Sequence, residues 1–100
     1  MPIKSFSEKT IRNRILNKVQ PKVHKGRKHD KGYIYLDGML VTKIKIPNEH
    51  PKIMHESKSK YLAADLRLND SDFNSLIDCT LTGSDYYKLL KDLQLNLDTN

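Results

Sequence analysis

Two strand-forming runs, Gly32-Tyr33-Ile34-Tyr35-Leu36 and Met39-Leu40-Val41-Thr42-Lys43-Ile44-Lys45-Ile46, flank the dipeptide Asp37-Gly38. β-Branched and aromatic side chains favour a pleated chain, and Asp-Gly tolerates the positive φ that a two-residue hairpin turn demands at both central positions. An antiparallel hairpin follows. A two-residue turn sets Leu36 opposite Met39, then Tyr35 opposite Leu40, Tyr33 opposite Thr42, Lys31 opposite Ile44 and His29 opposite Ile46. One face then holds Tyr33, Tyr35, Leu40, Thr42, Ile44 and Ile46. The other holds Ile34, Leu36, Met39 and Val41 near the turn, then Lys43 and Lys45. The tyrosine face is expected to pack on the helices, although alternation alone also suits the reverse.

The segments around the hairpin read as helices and loops. Ser5-Phe6-Ser7-Glu8 has the spacing of a capping box with Ser5 as N-cap. Ile11, Ile15 and Val19 share a helical face over about 7–19, which leaves Lys9, Arg14 and Lys18 towards solvent. Gln20-Pro21 ends that helix, and Pro21 to Lys31 has no apolar period and reads as a charged loop. After the loop Pro47 to Pro51, Lys52-Ile53-Met54-His55 has room only for a brief third strand. Ser57 to Lys60 opens a helix through Leu62, Ala63, Ala64 and Leu66. Asn69-Asp70-Ser71-Asp72 opens another bearing Phe73, Leu76 and Ile77, with acids where the helix dipole favours them. Thr82 to Asp85 caps a last helix with the stripe Tyr86, Leu89, Leu90, Leu93 and Leu97. The expected fold class is α+β: a helix, a hairpin with room for a third strand, then two to three helices on one sheet face. One hundred residues with 37% hydrophobic content suit one domain over 1–100.

Charge divides that domain into a basic helix-plus-hairpin part, 1–56, and an acidic helical part, 57–100. Residues 1–60 hold 15 Lys/Arg against 5 Asp/Glu, net +10, whereas residues 61–100 hold 3 against 7, net −4. A field of that sign attracts polyanions, so nucleic acid is the first partner to consider. With Cys79 the only cysteine, no internal disulfide can form, and a buried thiol is its commoner fate. The start Met1-Pro2-Ile3-Lys4 has no apolar leader region, and no stretch of roughly 18 apolar residues occurs, so a cytoplasmic protein without a membrane partner is expected.

The basic belt Lys18, Lys22, Lys25, Arg27, Lys28, Lys31, Lys43 and Lys45 is the candidate phosphate-binding surface. His29 stands beside Arg27, Lys28 and Lys31. A metal-free ribonuclease needs a base for the ribose 2′-hydroxyl and cations for the phosphorane charge, and histidine among cations supplies both. His50 is a candidate second member of an acid and base pair. The bland alternatives are a solvated surface and exposed loop histidines. Spacing of His24 with His29 and His50 with His55 gives little support to zinc, because structural zinc sites use cysteine pairs. No metal or cofactor is therefore expected. Tyr33 and Tyr35 could stack on bases if their face were open. There is no Gly-rich phosphate loop, nucleophile elbow or dinucleotide fingerprint, which argues against the common metabolic enzyme classes.

Residues Gly26 to Pro47, Gly-Arg-Lys-His-Asp-Lys-Gly-Tyr-Ile-Tyr-Leu-Asp-Gly-Met-Leu-Val-Thr-Lys-Ile-Lys-Ile-Pro, resemble the HicA-like toxins. The resemblance implies a double-stranded-RNA-binding-like fold, metal-independent mRNA cleavage with the loop histidine active, and silencing by an antitoxin protein. It places His29 at that histidine, Gly26 at the loop glycine, and Arg27, Lys28 and Lys31 at phosphate contacts. It covers about a quarter of the chain. The family sets its glycine closer to the histidine, and the acidic helices after residue 68 exceed its compact pattern. The leading expectation is thus an RNA-binding domain, with double-stranded nucleic acid among its candidate ligands, that acts as a HicA-like endoribonuclease. The alternatives are a nucleic-acid-binding protein that does not cut, and an adaptor whose acidic C-terminal helices dock a basic partner.

Overall fold

Helix formation begins at Ser7, whose Oγ accepts the Thr10 N–H at 3.1 Å and starts α1 (Glu8–Arg14). This corrects the expectation of Ser5 as cap. The computed structural model describes residues 2–78 and 80–98, so the expectation for Cys79 lies outside the described residues. From Ile15 to Val19 the helix widens into a π-helical turn, closed by Gln20 in the left-handed region, whose N–H donates to the Ile15 carbonyl. Ile11, Ile15 and Val19 are fully buried along it.

The sheet has three antiparallel strands in the order β1 (Lys22–His24), β2 (Asp30–Leu36), β3 (Met39–Ile46). Asp37 and Gly38 carry positive φ of 52° and 81° and form the expected turn. The register keeps Leu36 with Met39 and Tyr35 with Leu40 and then slips by one at a β-bulge, where Val41 has no partner and Ile34 pairs with Thr42. Tyr33 therefore faces Lys43, not Thr42; Lys31 faces Lys45; and Asp30, not His29, faces Ile46.

The slip overturns the expected packing of the tyrosine face. A straight ladder would carry Lys31 inward beside Ile44, at a desolvation cost. With the bulge, Ile34, Thr42, Ile44 and Ile46 share the buried face while Tyr35 is 42% exposed. Thr42 is satisfied there, its Oγ1 donating to the Asp65 carbonyl at 2.7 Å.

Two further expectations change. The segment Pro21–Lys31 is not all loop, since Lys22-Val23-His24 pairs along the open edge of β2. Lys52–His55 is not a strand: Ile53 makes one isolated bridge with Ser7.

α2 (Glu56–Asp65), α3 (Asp70–Ile77) and α4 (Gly83–Asp98) follow. His55 caps α2, its Nδ1 accepting the Ser57 N–H, so the helix starts at Glu56, one position before the expected Ser57. Asn69 caps α3 through the Asp72 N–H at 2.7 Å, and Thr82 and Asp85 cap α4 reciprocally. Leu62, Leu66, Phe73, Leu76, Ile77, Tyr86 and Leu90 meet Ile11, Ile15, Val19, Ile34, Ile44 and Ile46 in one core, so the helices lie on one sheet face. Leu93 of the expected α4 stripe is exposed, and the side chain of Leu97 lies outside the described residues. No helix among the described residues is long and apolar enough to cross a membrane.

Candidate nucleic-acid interface

Directly paired residues of neighbouring strands point to the same side of a sheet, about 5 Å apart. Two rows therefore cross the sheet on the side away from the helices: Lys22, Tyr33 and Lys43 in one, His24, Lys31 and Lys45 in the other. The lysines and His24 are exposed, Tyr33 is half-buried, and Tyr35 continues the aromatic line towards the turn. His24 meets the Tyr33 ring edge-on at 4.7 Å between centroids. No strand residue adds a carboxylate to this side; Asp30, the acid of β2, shares the inner side with its partner Ile46. Lys31 and Lys45 stand directly opposite, an arrangement that repels until an anion intervenes.

The β1–β2 loop extends the positive surface, with Lys25, Arg27, Lys28 and His29 all exposed. Gly26 belongs there for a steric reason: a Cβ at that position would collide with the His29 carbonyl, so the loop folds tightly on itself just before the histidine. The far end of the loop is anchored. Arg12 Nη2 donates to Asp30 Oδ2 at 2.9 Å while its Nη1 donates to the Pro47 carbonyl at 3.1 Å, which fixes the residue after His29 and the end of β3 to α1.

Lys18 lies apart from the other belt residues. Its Nζ donates to the Leu76 and Leu81 carbonyls at 2.8 and 2.7 Å, and Arg14 Nε donates to the Ile77 carbonyl at 3.0 Å. Both were expected towards solvent. They instead satisfy the Leu76 and Ile77 carbonyls that α3 leaves unpaired at its C-terminus, where cations are also favoured by the helix dipole, and Lys18 takes the Leu81 carbonyl of the following segment as well.

Beside the sheet, between the ends of β3 and α2, is a cleft of about 580 Å³ lined by His29, Lys45, Lys52, Lys58, Tyr61 and Glu8 among others. Lys45 thus belongs to both the open face and the cleft. His50 does not line the cleft; it is exposed, and its backbone carbonyl accepts the Lys9 N–H. A flatter depression of about 710 Å³ lies on the helical side, between Lys18 and the start of α4, and has neither a histidine nor a carboxylate in its wall. Among the described residues, no three His, Cys, Asp or Glu side chains converge as metal ligands.

Sequence reasoning foresaw the loop and strand cations but not Lys52, Lys58, Tyr61 or Glu8, which no short motif links to His29. Charge density around Lys52 and Lys58 was the one available signal. Comparison of the chain with protein-family models, with curated proteins and with solved structures finds no match.

Proposed function

We propose that this protein binds single-stranded RNA across the open face of its sheet and cleaves it without a metal, in the manner the resemblance to HicA-like toxins implies. One observation carries the reading: four lysines and two tyrosines share a sheet face that, among the described residues, no helix covers and no strand carboxylate neutralises. Lysines spaced across three strands suit a phosphate backbone, and rings among them suit stacked bases. His29 borders the same surface. As base it takes the proton of a ribose 2′-hydroxyl; that oxygen attacks the adjacent phosphorus, the 5′-oxygen leaves with a proton from solvent, and a 2′,3′-cyclic phosphate results. Lys45, Lys52 and Lys58 supply the charge that stabilises the phosphorane.

The test is cleavage of a labelled single strand by the purified chain in excess EDTA, with His29→Ala alongside. Cleavage by the native chain, its loss in the variant, and unchanged RNA retention by both support the reading. Loss of activity in EDTA overturns the metal-free step, and absence of RNA retention at low salt overturns the whole. Binding without cleavage in the native chain would leave a nucleic-acid-binding protein that does not cut.

A further inference from the structure

Tyr35 and Leu40 stand directly opposite each other across β2 and β3 on the open side of the sheet, 42% and 47% exposed. The neighbouring positions on that side are cationic. Lys22 and Lys43 flank Tyr33 in the next row, and His24, Lys31 and Lys45 make the row after it. The face is therefore graded along β2, from cations at the loop end to an apolar pair at the turn end. Tyr33 offers little of its ring, being half-buried and met edge-on by His24. No aromatic ring packs on Tyr35 among the described residues. The acid at this end, Asp37, lies in the turn itself, so a phosphate is favoured beside the lysine rows and disfavoured beyond Tyr35. An uncharged, flat part of a polyanion is what suits the apolar pair, and in a nucleic acid that part is the base.

Resting on the RNA-binding reading above, we infer that Tyr35 and Leu40 form a seat for one purine base of the bound strand, while Lys43 and Lys31 hold the phosphates next to it. The choice of purine follows from area. Directly opposed side chains on neighbouring strands lie about 5 Å apart, so the pair presents one apolar plate wider than a single ring. A bicyclic base covers the tyrosine ring and the leucine side chain together, whereas a pyrimidine covers only one of them. Adenine and guanine are treated alike. Apart from the Tyr35 hydroxyl the pair carries no side-chain donor or acceptor, so it reads the size of the ring system and not the base edges. Leu40, which a count of cations passes over, thereby becomes a specificity-determining residue.

The experiment is fluorescence anisotropy of uridine decamers that carry U, C, A or G at one central position, titrated with the full chain across a salt series. A and G are expected to tighten binding about three- to tenfold over U and C. Tyr35→Ala is expected to weaken the A decamer about five- to a hundredfold and to leave the salt slope unchanged, because no ion pair is lost. Leu40→Ser is expected to erase the purine advantage while the U decamer binds as before. With 2-aminopurine at the central position, binding to the native chain should quench the base's fluorescence and binding to Tyr35→Ala should not. If the four decamers bind alike with steep salt dependence, the seat is refuted and the RNA-binding reading stands. If no decamer binds at low salt, both fall. Should sedimentation show a dimer of the native chain that Tyr35→Ala dissociates, the pair belongs to a second copy and the seat is overturned. Should a variant not fold, the native chain decides alone: A and G together above U and C, with quenching, supports the seat, and any other ranking refutes it.

Discussion

Removing Lys31 and Lys43 together is the most direct probe of the open sheet face, because its effect can be computed before it is measured. Each phosphate neutralised on a single strand contributes roughly −0.7 to the slope of log K against log salt. Four face lysines, Lys22, Lys31, Lys43 and Lys45, then give a slope of about −2.8, so raising salt from about 50 to about 200 mM should weaken binding about fiftyfold. Lys31→Ala with Lys43→Ala halves the slope to about −1.4 and the loss to about sevenfold. Loop cations that join in steepen both lines without changing their separation. Fluorescence anisotropy of a labelled decamer across a salt series reads the slopes. The melting midpoint of the variant should hold or rise slightly, because the direct opposition of Lys31 and Lys45 is relieved. Equal slopes for native chain and variant would refute the placement of RNA on this face. So would an equal loss of slope from Lys88→Ala with Lys91→Ala, which border the depression on the helical side.

Two further predictions concern the frame that holds the site. Arg12→Ala removes the donors to Asp30 Oδ2 and the Pro47 carbonyl and is expected to cost about 1–3 kcal/mol, lowering the melting midpoint by on the order of 10 °C; an unchanged midpoint would refute the clamp. Asp85 is held below the usual carboxylate value of 3.8, first by the Thr82 backbone N–H and also by its hydroxyl. A depressed folded value means that its stabilisation is complete above about pH 4 and is lost as pH falls through the lowered value. Asp85→Asn should therefore flatten the midpoint's acid dependence below about pH 4 relative to the native chain, and parallel curves would count against the α4 cap.

Local features were legible in the sequence. The Asp37-Gly38 turn, the buried line Ile11, Ile15 and Val19, and the caps Asn69 and Thr82 each depend on neighbours within four residues, and each stands where its spacing places it. What was not legible depends on distant partners. Lys-Val-His at 22–24 has no strand pattern of its own and is extended because β2 offers an open edge. Lys18 reads as a solvent-facing cation until the carbonyls of Leu76 and Leu81, about sixty residues away, are brought beside it. Glu8 reads as a capping-box acid and becomes buried only when α1 closes against the cleft. The cations of the β1–β2 loop and strands were foreseen from charge, whereas Lys52, Lys58 and Tyr61 join His29 only through the packing of α2 beside β3.

Val41, the one β3 residue without a partner in β2, has a consequence out of proportion to its size. Side chains alternate sides with every step along a strand, so the count of residues between the turn and Thr42 sets the parity of everything beyond. Were Val41 instead taken into the ladder opposite Ile34, Tyr33 and Lys31 would turn to the same side as Ile44, and the chain would have to bury an ammonium or abandon the ladder. Which chemical groups this sheet presents to the outside is thus decided by an odd number rather than by any one side chain's affinity for water.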